Sequence, residues 1–187
     1  ELKSVSLSAN WMWPANNEGE NSRLYDAVKA CSDYCIELGI NVPTGKDSMS
    51  MKQKYPSEEV VYPGTVIISA TAHSDNFRKT VEPYLKEKNS NLYYINMSSC
   101  EYNLGGSALF QSNNKVGKKC NDIKSTKYFK KIFDSIQIAV KKDLIYSGHD
   151  ISSGGLITCL LEMCFVSDGL GLNVNLSNVD EKDIIKL

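Results

Sequence analysis

The chain has 187 residues, of which 42% are hydrophobic and 23% charged, and its formal net charge is −1. These proportions suit one globular domain or two small ones and exclude a disordered chain. Lys and Arg are spread along the sequence rather than concentrated, which argues against a nucleic-acid partner, and no apolar run approaches the ~20 residues of a membrane span.

The chain opens with "KSVSLSA", residues 3–9, whose alternation predicts a short strand. The turn formers of "PANNEGENS" follow. Leu24, Ala27, Val28, Cys31, Cys35 and Leu38 then have the spacing of an amphipathic helix. Asn21 or Ser22 is placed to cap its start and Gly39 to end it. Extended chain follows, around a compact polar knot at Gly45–Ser48. "GTVIISATAH", residues 64–73, is a β-branched strand bounded by Pro63 and Gly64. A polar, charged stretch at 74–91 marks a domain boundary near residue 80, giving domains 1–80 and 81–187. Beyond it come a strand in "LYYINM" (92–97), a glycine turn into apolar chain in "NLGGSALFQ", and a helix over 126–143 carried by Phe129, Ile132, Phe133, Ile136 and Val140. The apolar run Leu156–Phe165 predicts a buried helix and "GLNVNLS" (171–177) a last strand. Helices and strands mix without a regular βαβ repeat, so the fold class is α+β.

The start, "ELKSVSLSANW", lacks a basic segment followed by an apolar one, so no signal peptide is expected. Both ends have the character of cuts within a longer protein. Six cysteines are present, and Cys31, Cys35, Cys159 and Cys164 fall in apolar helices, where buried reduced thiols are expected. No CxxC knuckle suggests zinc, and a reducing, cytoplasmic setting follows.

Three stretches are candidates for chemistry. "PTGKDS" fails as a P-loop, because Ile40 stands where the first glycine is required and Asp47 follows the lysine. Lys46, Asp47 and Ser48 still offer a cation, an anion and a hydroxyl; a tight turn with an exposed ion pair is the blander reading. Gly105 and Gly106 in "NLGGSALF" permit close backbone approach to a ligand or to a packed neighbour. "GHDISSGGL", residues 148–156, is the most informative. Ser152 or Ser153 is placed to cap a helix opening near Gly154. The free N–H groups of its first turn favour an anion, and Gly154 and Gly155 leave room for a phosphate. Asp150 would repel a bare phosphate unless a bridging Mg²⁺ reverses the sign. His149 would orient neighbours or contact substrate. An acidic cap on a buried helix explains Asp150 equally well on the residues alone. There is no GxSxG, and two histidines, His73 and His149, are too few for a three-His metal centre.

"LSANWMW", "GENSRLYDAVKA", "PTGKDSMSM", "LGGSALFQ" and "GHDISSGGL" together, in this order from Leu7 to Leu176, resemble successive motifs of the phosphoribosylformylglycinamidine synthase family, large form. The resemblance implies a piece of the second of two halves that each resemble aminoimidazole ribonucleotide synthetase: the end of a barrel-forming α/β N-domain, then the start of an α+β C-domain. It implies an ATP- and glutamine-dependent ligase of purine biosynthesis. ATP would phosphorylate the amide oxygen of formylglycinamide ribonucleotide, and ammonia from a glutaminase domain elsewhere in the chain would displace the phosphate from the resulting iminophosphate. Asp150 matches a magnesium ligand and Ser152 a nucleotide contact. Magnesium and ATP or ADP are therefore implied, and the remaining ligands would precede Glu1. Ser153 departs from the family's usual "HDxSDGG". On this resemblance the fragment alone is expected to be inactive. The alternative is a structural half that holds ADP and magnesium without turnover. Related kinases fit the glycine loop but neither "LYDAVKA" nor "GKDSMSM".

Overall fold

A computed structural model describes residues 2–98, 101–177 and 179. The chain divides into two compact units, Glu1–Asp75 and Asn76–Leu187.

In the first unit a 3-10 turn, Leu2–Ser4, leads into β1, Ser6–Met12. There follow α1 (Glu20–Leu38), β2 (Asn41–Ser48), a hairpin of β3 (Lys52–Lys54) and β4 (Glu59–Val61), and β5 (Thr65–Thr71). β1 is central in a sheet of order β2-β1-β5, parallel to β2 and antiparallel to β5. A parallel pair needs a crossover, and α1 supplies it. The first strand thus lies three residues later than the alternation of 3–9 suggests, because Leu2–Ser4 closes into a turn.

Leu24, Ala27, Cys31, Cys35 and Leu38 form the inner stripe of α1, with Cys35 and Leu38 buried; Val28, predicted on that stripe, is exposed. Gly39 ends the helix as expected. Its φ is 75°, its N–H donates to Ile36 O at 3.1 Å, and the Ile40 N–H donates to Cys35 O at 3.0 Å, the Schellman arrangement. The start differs from expectation. Neither Asn21 nor Ser22 caps it: α1 begins at Glu20 behind left-handed Gly19 with no side-chain cap. Glu20 instead pairs with Arg23 and places a negative charge in the first turn, where the helix dipole favours it.

β2 is the element that local pattern concealed. It contains Pro43 and an irregular register, with Ser6 opposite Asn41 but Ser8 opposite Thr44. Proline is tolerated there because β2 lies at the sheet's edge. Gly45 is required by closeness, since a Cβ on it would stand 2.1 Å from Ala9 O in β1.

Trp13, directly after β1, is buried and joins three segments. Its indole N–H donates to Glu20 O at 3.0 Å, and its backbone N–H donates to Ser48 O at 2.8 Å. Gly64 lies against its ring, where a Cβ would be 2.5 Å from the indole carbons.

The second unit carries α2 (Ala108–Ser112), α3 (Thr126–Lys141) and α4 (Gly155–Phe165). The strands predicted at 92–97 and 171–177 are not formed among the described residues; Leu92–Met97 and Gly171–Leu176 run as irregular chain. The pairing seen there is one isolated bridge, Glu82 to Ser147. Ser125 caps α3, its Oγ accepting the Tyr128 N–H at 3.2 Å, and the predicted apolar stripe of Phe129, Ile132, Phe133, Ile136 and Val140 is half-buried. Lys79 ties the start of the unit to the end of α3, reaching Lys141 O at 2.9 Å and Asp143 Oδ2 at 2.7 Å. α4 is apolar apart from Thr158 and Glu162 but not wholly buried as expected. Leu156, Cys159 and Met163 form its buried stripe, while Ile157, Leu161 and Phe165 are exposed.

Gly64→Ala should destabilise the first unit by about 1–3 kcal/mol, because the added methyl overpacks a buried ring. A fall in the urea midpoint, read from the fluorescence of the chain's Trp11 and Trp13, checks this. An unchanged midpoint would show that the Trp13 contact can relax freely.

Candidate functional site

The loop at 148–155 is held at both ends. The Gly148 N–H donates to Glu82 O at 3.1 Å, beside the Glu82–Ser147 bridge. At the other end Gly154 and Gly155 both take left-handed angles, with φ of 94° and 71°, and open α4. A side chain at Gly154 would be strained there and would also meet Thr158, whose hydroxyl donates to Gly154 O at 3.0 Å.

Neither Ser152 nor Ser153 caps α4. Gly154 occupies the cap position and has no side chain to offer, while Ser152 contributes its backbone carbonyl to the Gly155 N–H at 3.1 Å. The first turn of α4 therefore begins without a side-chain oxygen across it. Asp150 is not a cap either. Its side chain is 90% exposed.

His149 is the inward-facing member of the loop, its side chain 16% exposed. Nε2 lies 3.0 Å from Glu162 Oε2 of α4, and Nδ1 lies 2.8 Å from the backbone oxygen of Asp150. The Cys159 thiol approaches His149 O at 3.9 Å. Burial pushes the Cys159 thiol up from its ordinary range, and the Asp150 and Glu162 carboxylates add to that.

Within the second unit this loop faces an open cleft of about 2180 Å³ whose wall includes His149, Asp150, Ser152, Gly154 and Gly155. Gly105, Gly106 and Ser107 also line it, so "NLGGSALF" and "GHDISSGGL" share one cavity. The glycines of the first stretch have a packing reason of their own: a Cβ on Gly105 would stand 2.2 Å from Lys119 O, to which its N–H donates at 2.7 Å. Ser107 caps α2 through Phe110 N–H at 3.2 Å.

Sequence reasoning missed the aromatic part of this wall. The Tyr94 hydroxyl donates to the Tyr102 oxygen at 2.9 Å, and Asn96 Nδ2 donates to the same oxygen at 3.3 Å. Burial, then the Tyr102 contact, raises the Tyr94 phenol well above its usual range. The residues of the expected strand at 92–97 thus line the cleft. "YYINM" carries no local signal for this, since a strand and an extended cavity wall share one alternation.

Lys46, Asp47 and Ser48 belong to the first unit. They form the end of β2, opposite Asn10, Trp11 and Met12, and so are strand rather than tight turn. Successive strand residues face opposite ways, and Lys46 Nζ meets the backbone oxygen of Asp47. All three are solvent-accessible, Ser48 included.

Among the described residues no group of three or more His, Cys, Asp or Glu side chains forms a ready metal cage. Asp150 suits a magnesium ion in another way. Mg²⁺ keeps several waters and takes one or two carboxylates plus phosphate oxygens, so a single exposed carboxylate at a cleft, 3.7 Å from His149 Nδ1, matches its needs. His149 does not, because its Nε2 is already engaged by Glu162. Of the cysteines, Cys35 and Cys159 are buried, Cys31 and Cys164 are half-buried, and Cys120 is exposed; Cys100 lies outside the described residues. No described helix is long and apolar enough to cross a membrane.

Residues 1–73 match the model of the FGAR-AT PurM N-like domain, and residues 97–186 match that of the AIR synthase related protein, C-terminal domain. AIR-synthase-like domain sequence is thus present in the chain. The chain is 40% identical over 179 residues to the probable phosphoribosylformylglycinamidine synthase, chloroplastic/mitochondrial, of Arabidopsis thaliana, which covers 95% of this chain. It is 38% identical over 188 residues to the Homo sapiens phosphoribosylformylglycinamidine synthase and 40% over 200 residues to that of Dictyostelium discoideum, covering 99% and 100% of this chain. It belongs to the phosphoribosylformylglycinamidine synthase family. The chain spans 13–15% of the length of these relatives.

Burial sets a reactivity order among the thiols. Among the described cysteines, at mildly alkaline pH the exposed Cys120 should alkylate first and the buried Cys35 and Cys159 last, because only the thiolate attacks and burial, with Cys31 beside the one and two carboxylates near the other, disfavours it. Peptide mass mapping after timed iodoacetamide treatment reads this order. Equal labelling rates would show that α4 does not shield its buried stripe.

Proposed function

We propose that this chain is a segment of the second synthetase half of an ATP- and glutamine-dependent ligase of purine biosynthesis. The reaction would convert formylglycinamide ribonucleotide to its amidine, with ammonia arriving from a glutaminase domain of the parent chain. ATP would make the amide oxygen a leaving group by phosphorylating it. Residues up to about 80 would end the N-domain and those beyond would open the C-domain. A barrel-forming role for the first unit is supported by its sheet, where Val66, Ile67 and Ile68 of β5 are exposed and need a covering partner.

The observation that carries the reading is the 90% exposed carboxylate of Asp150, at the wall of a cleft and four residues before the glycine-opened start of α4. Asp150 would hold magnesium, Ser152 with Gly154 and Gly155 would receive nucleotide phosphate, and the rest of the ligand set would come from outside this chain. His149 would shape the loop rather than bind metal. A reducing, cytosolic setting goes with this reading, although the plant relative's name places that protein in chloroplast or mitochondrion.

In the parent protein, Asp150→Asn should weaken Mg-ADP or Mg-ATP binding by about 10–100-fold, or about 1.4–2.7 kcal/mol, and leave the fold intact. Calorimetric titration of nucleotide-stripped protein measures it. Wild-type affinity in the variant would return the loop to a structural turn.

The strand-end trio gives a separate expectation. In the parent enzyme, Lys46→Ala should raise a Michaelis constant or lower turnover without moving the melting temperature, since Lys46 makes no buried contact on its edge strand. Wild-type kinetics would remove Lys46, Asp47 and Ser48 from the ligand site.

A further inference from the structure

Glu162 lies two turns into α4 and does not line the cleft, yet it reaches the loop that does. Its Oε2 stands 3.0 Å from His149 Nε2, and the other ring nitrogen stands 2.8 Å from the Asp150 backbone oxygen. The ring lies between α4 and the main chain of Asp150; a neutral imidazole donates its single N–H to one of these two oxygens, and the imidazolium donates to both. Cys159 lies three residues before Glu162, on the same side of α4, and its thiol approaches His149 O at 3.9 Å. Glu82 O accepts the Gly148 N–H at 3.1 Å. The backbone of residues 148–150 is contacted at each residue, and the Asp150 carboxylate, 90% exposed, lies 3.7 Å from His149 Nδ1.

We propose that Glu162 is a positioning residue: through the His149 ring it fixes the Asp150 main chain and so aims the Asp150 carboxylate into the cleft. This rests on the reading of Asp150 as a magnesium ligand. A carboxylate on a loose loop must be ordered when it ligates, and that ordering opposes binding; a loop already fixed escapes the cost. Glu162 is 46% exposed, so its pairing with His149 contributes little to folding stability, in the manner of surface ion pairs. Its loss should be felt in ligand affinity and scarcely in melting temperature.

The test is calorimetric titration of Mg-ADP into the nucleotide-stripped full-length protein, for wild type, Glu162→Leu, Glu162→Gln, Asp150→Asn and the double variant Asp150→Asn/Glu162→Leu. Glu162→Leu should bind about 10-fold more weakly, the lower range for loss of an outer partner of a metal ligand. Glu162→Gln keeps an oxygen acceptor for Nε2–H and should stay within about threefold of wild type. The double variant should bind within about twofold of Asp150→Asn alone, because two residues acting through one contact do not add. ADP titrated in EDTA should not distinguish Glu162→Leu from wild type.

Several results would overturn the proposal. These are a wild-type affinity for Glu162→Leu alongside a weakened Asp150→Asn, losses that multiply in the double variant, and failure of Gln to rescue. A weakened Glu162→Leu that is equally weak in EDTA would also count against it, marking a role unrelated to the metal. If Asp150→Asn itself binds normally, the magnesium reading falls and this proposal with it, a distinct pattern. Glu162→Ala carries the same expectations should the Leu variant fold poorly.

Discussion

Two consecutive left-handed glycines, Gly154 and Gly155, set what the rest of the second unit can do. They turn the chain from the 148–153 loop into α4 within two residues, a path that side chains would resist. The same turn fixes the direction of the helix, and so which residues it buries. Leu156, Cys159 and Met163 form the stripe that anchors α4, and Cys159 and Glu162 reach back to the loop that the glycines released. Loop and helix are one device. Neither geometry stands without the turn between them.

The first unit is organised by close approach rather than by a large core. Gly45 lets β2 run against β1, Gly64 lets the chain pass over Trp13, and both admit no side chain without displacement. Trp13 in turn accepts the load of three segments through its ring and main chain. The consequence is a thin sheet whose outer strands expose β-branched residues. A longer chain has the material to cover them, and the relatives are much longer than this one.

Elements with a self-contained signal were legible from the sequence. α1 carries its own inner stripe and its own stop, and Gly39 ends it through bonds made within the last turn. α3 is similar, legible from the helical spacing of Phe129, Ile132, Phe133, Ile136 and Val140. Elements that depend on a distant partner were not. β2 exists because β1 lies alongside it, in spite of Pro43, whereas 92–97 and 171–177 have strand-like alternation and no strand to pair with among the described residues. The candidate site divides in the same way. The glycine loops were readable because positive φ and close contact demand glycine, and the cap at Ser152 or Ser153 was misplaced because glycine itself took the cap position. The presence of Gly105 and Asp150 in the lining of one cleft, and the reach of Glu162 to His149, are tertiary facts with no trace in spacing.

The central claim is that Asp150 and the start of α4 together receive a magnesium-bridged nucleotide phosphate. The most direct measurement is a crystal structure of the full-length protein grown with ADP and Mn²⁺, using the anomalous signal of manganese to locate the metal. The account predicts a metal peak about 2.0–2.1 Å from an Asp150 carboxylate oxygen, with phosphate oxygens against residues 152–155. A nucleotide bound with its metal elsewhere, leaving the Asp150 carboxylate in solvent, would contradict it.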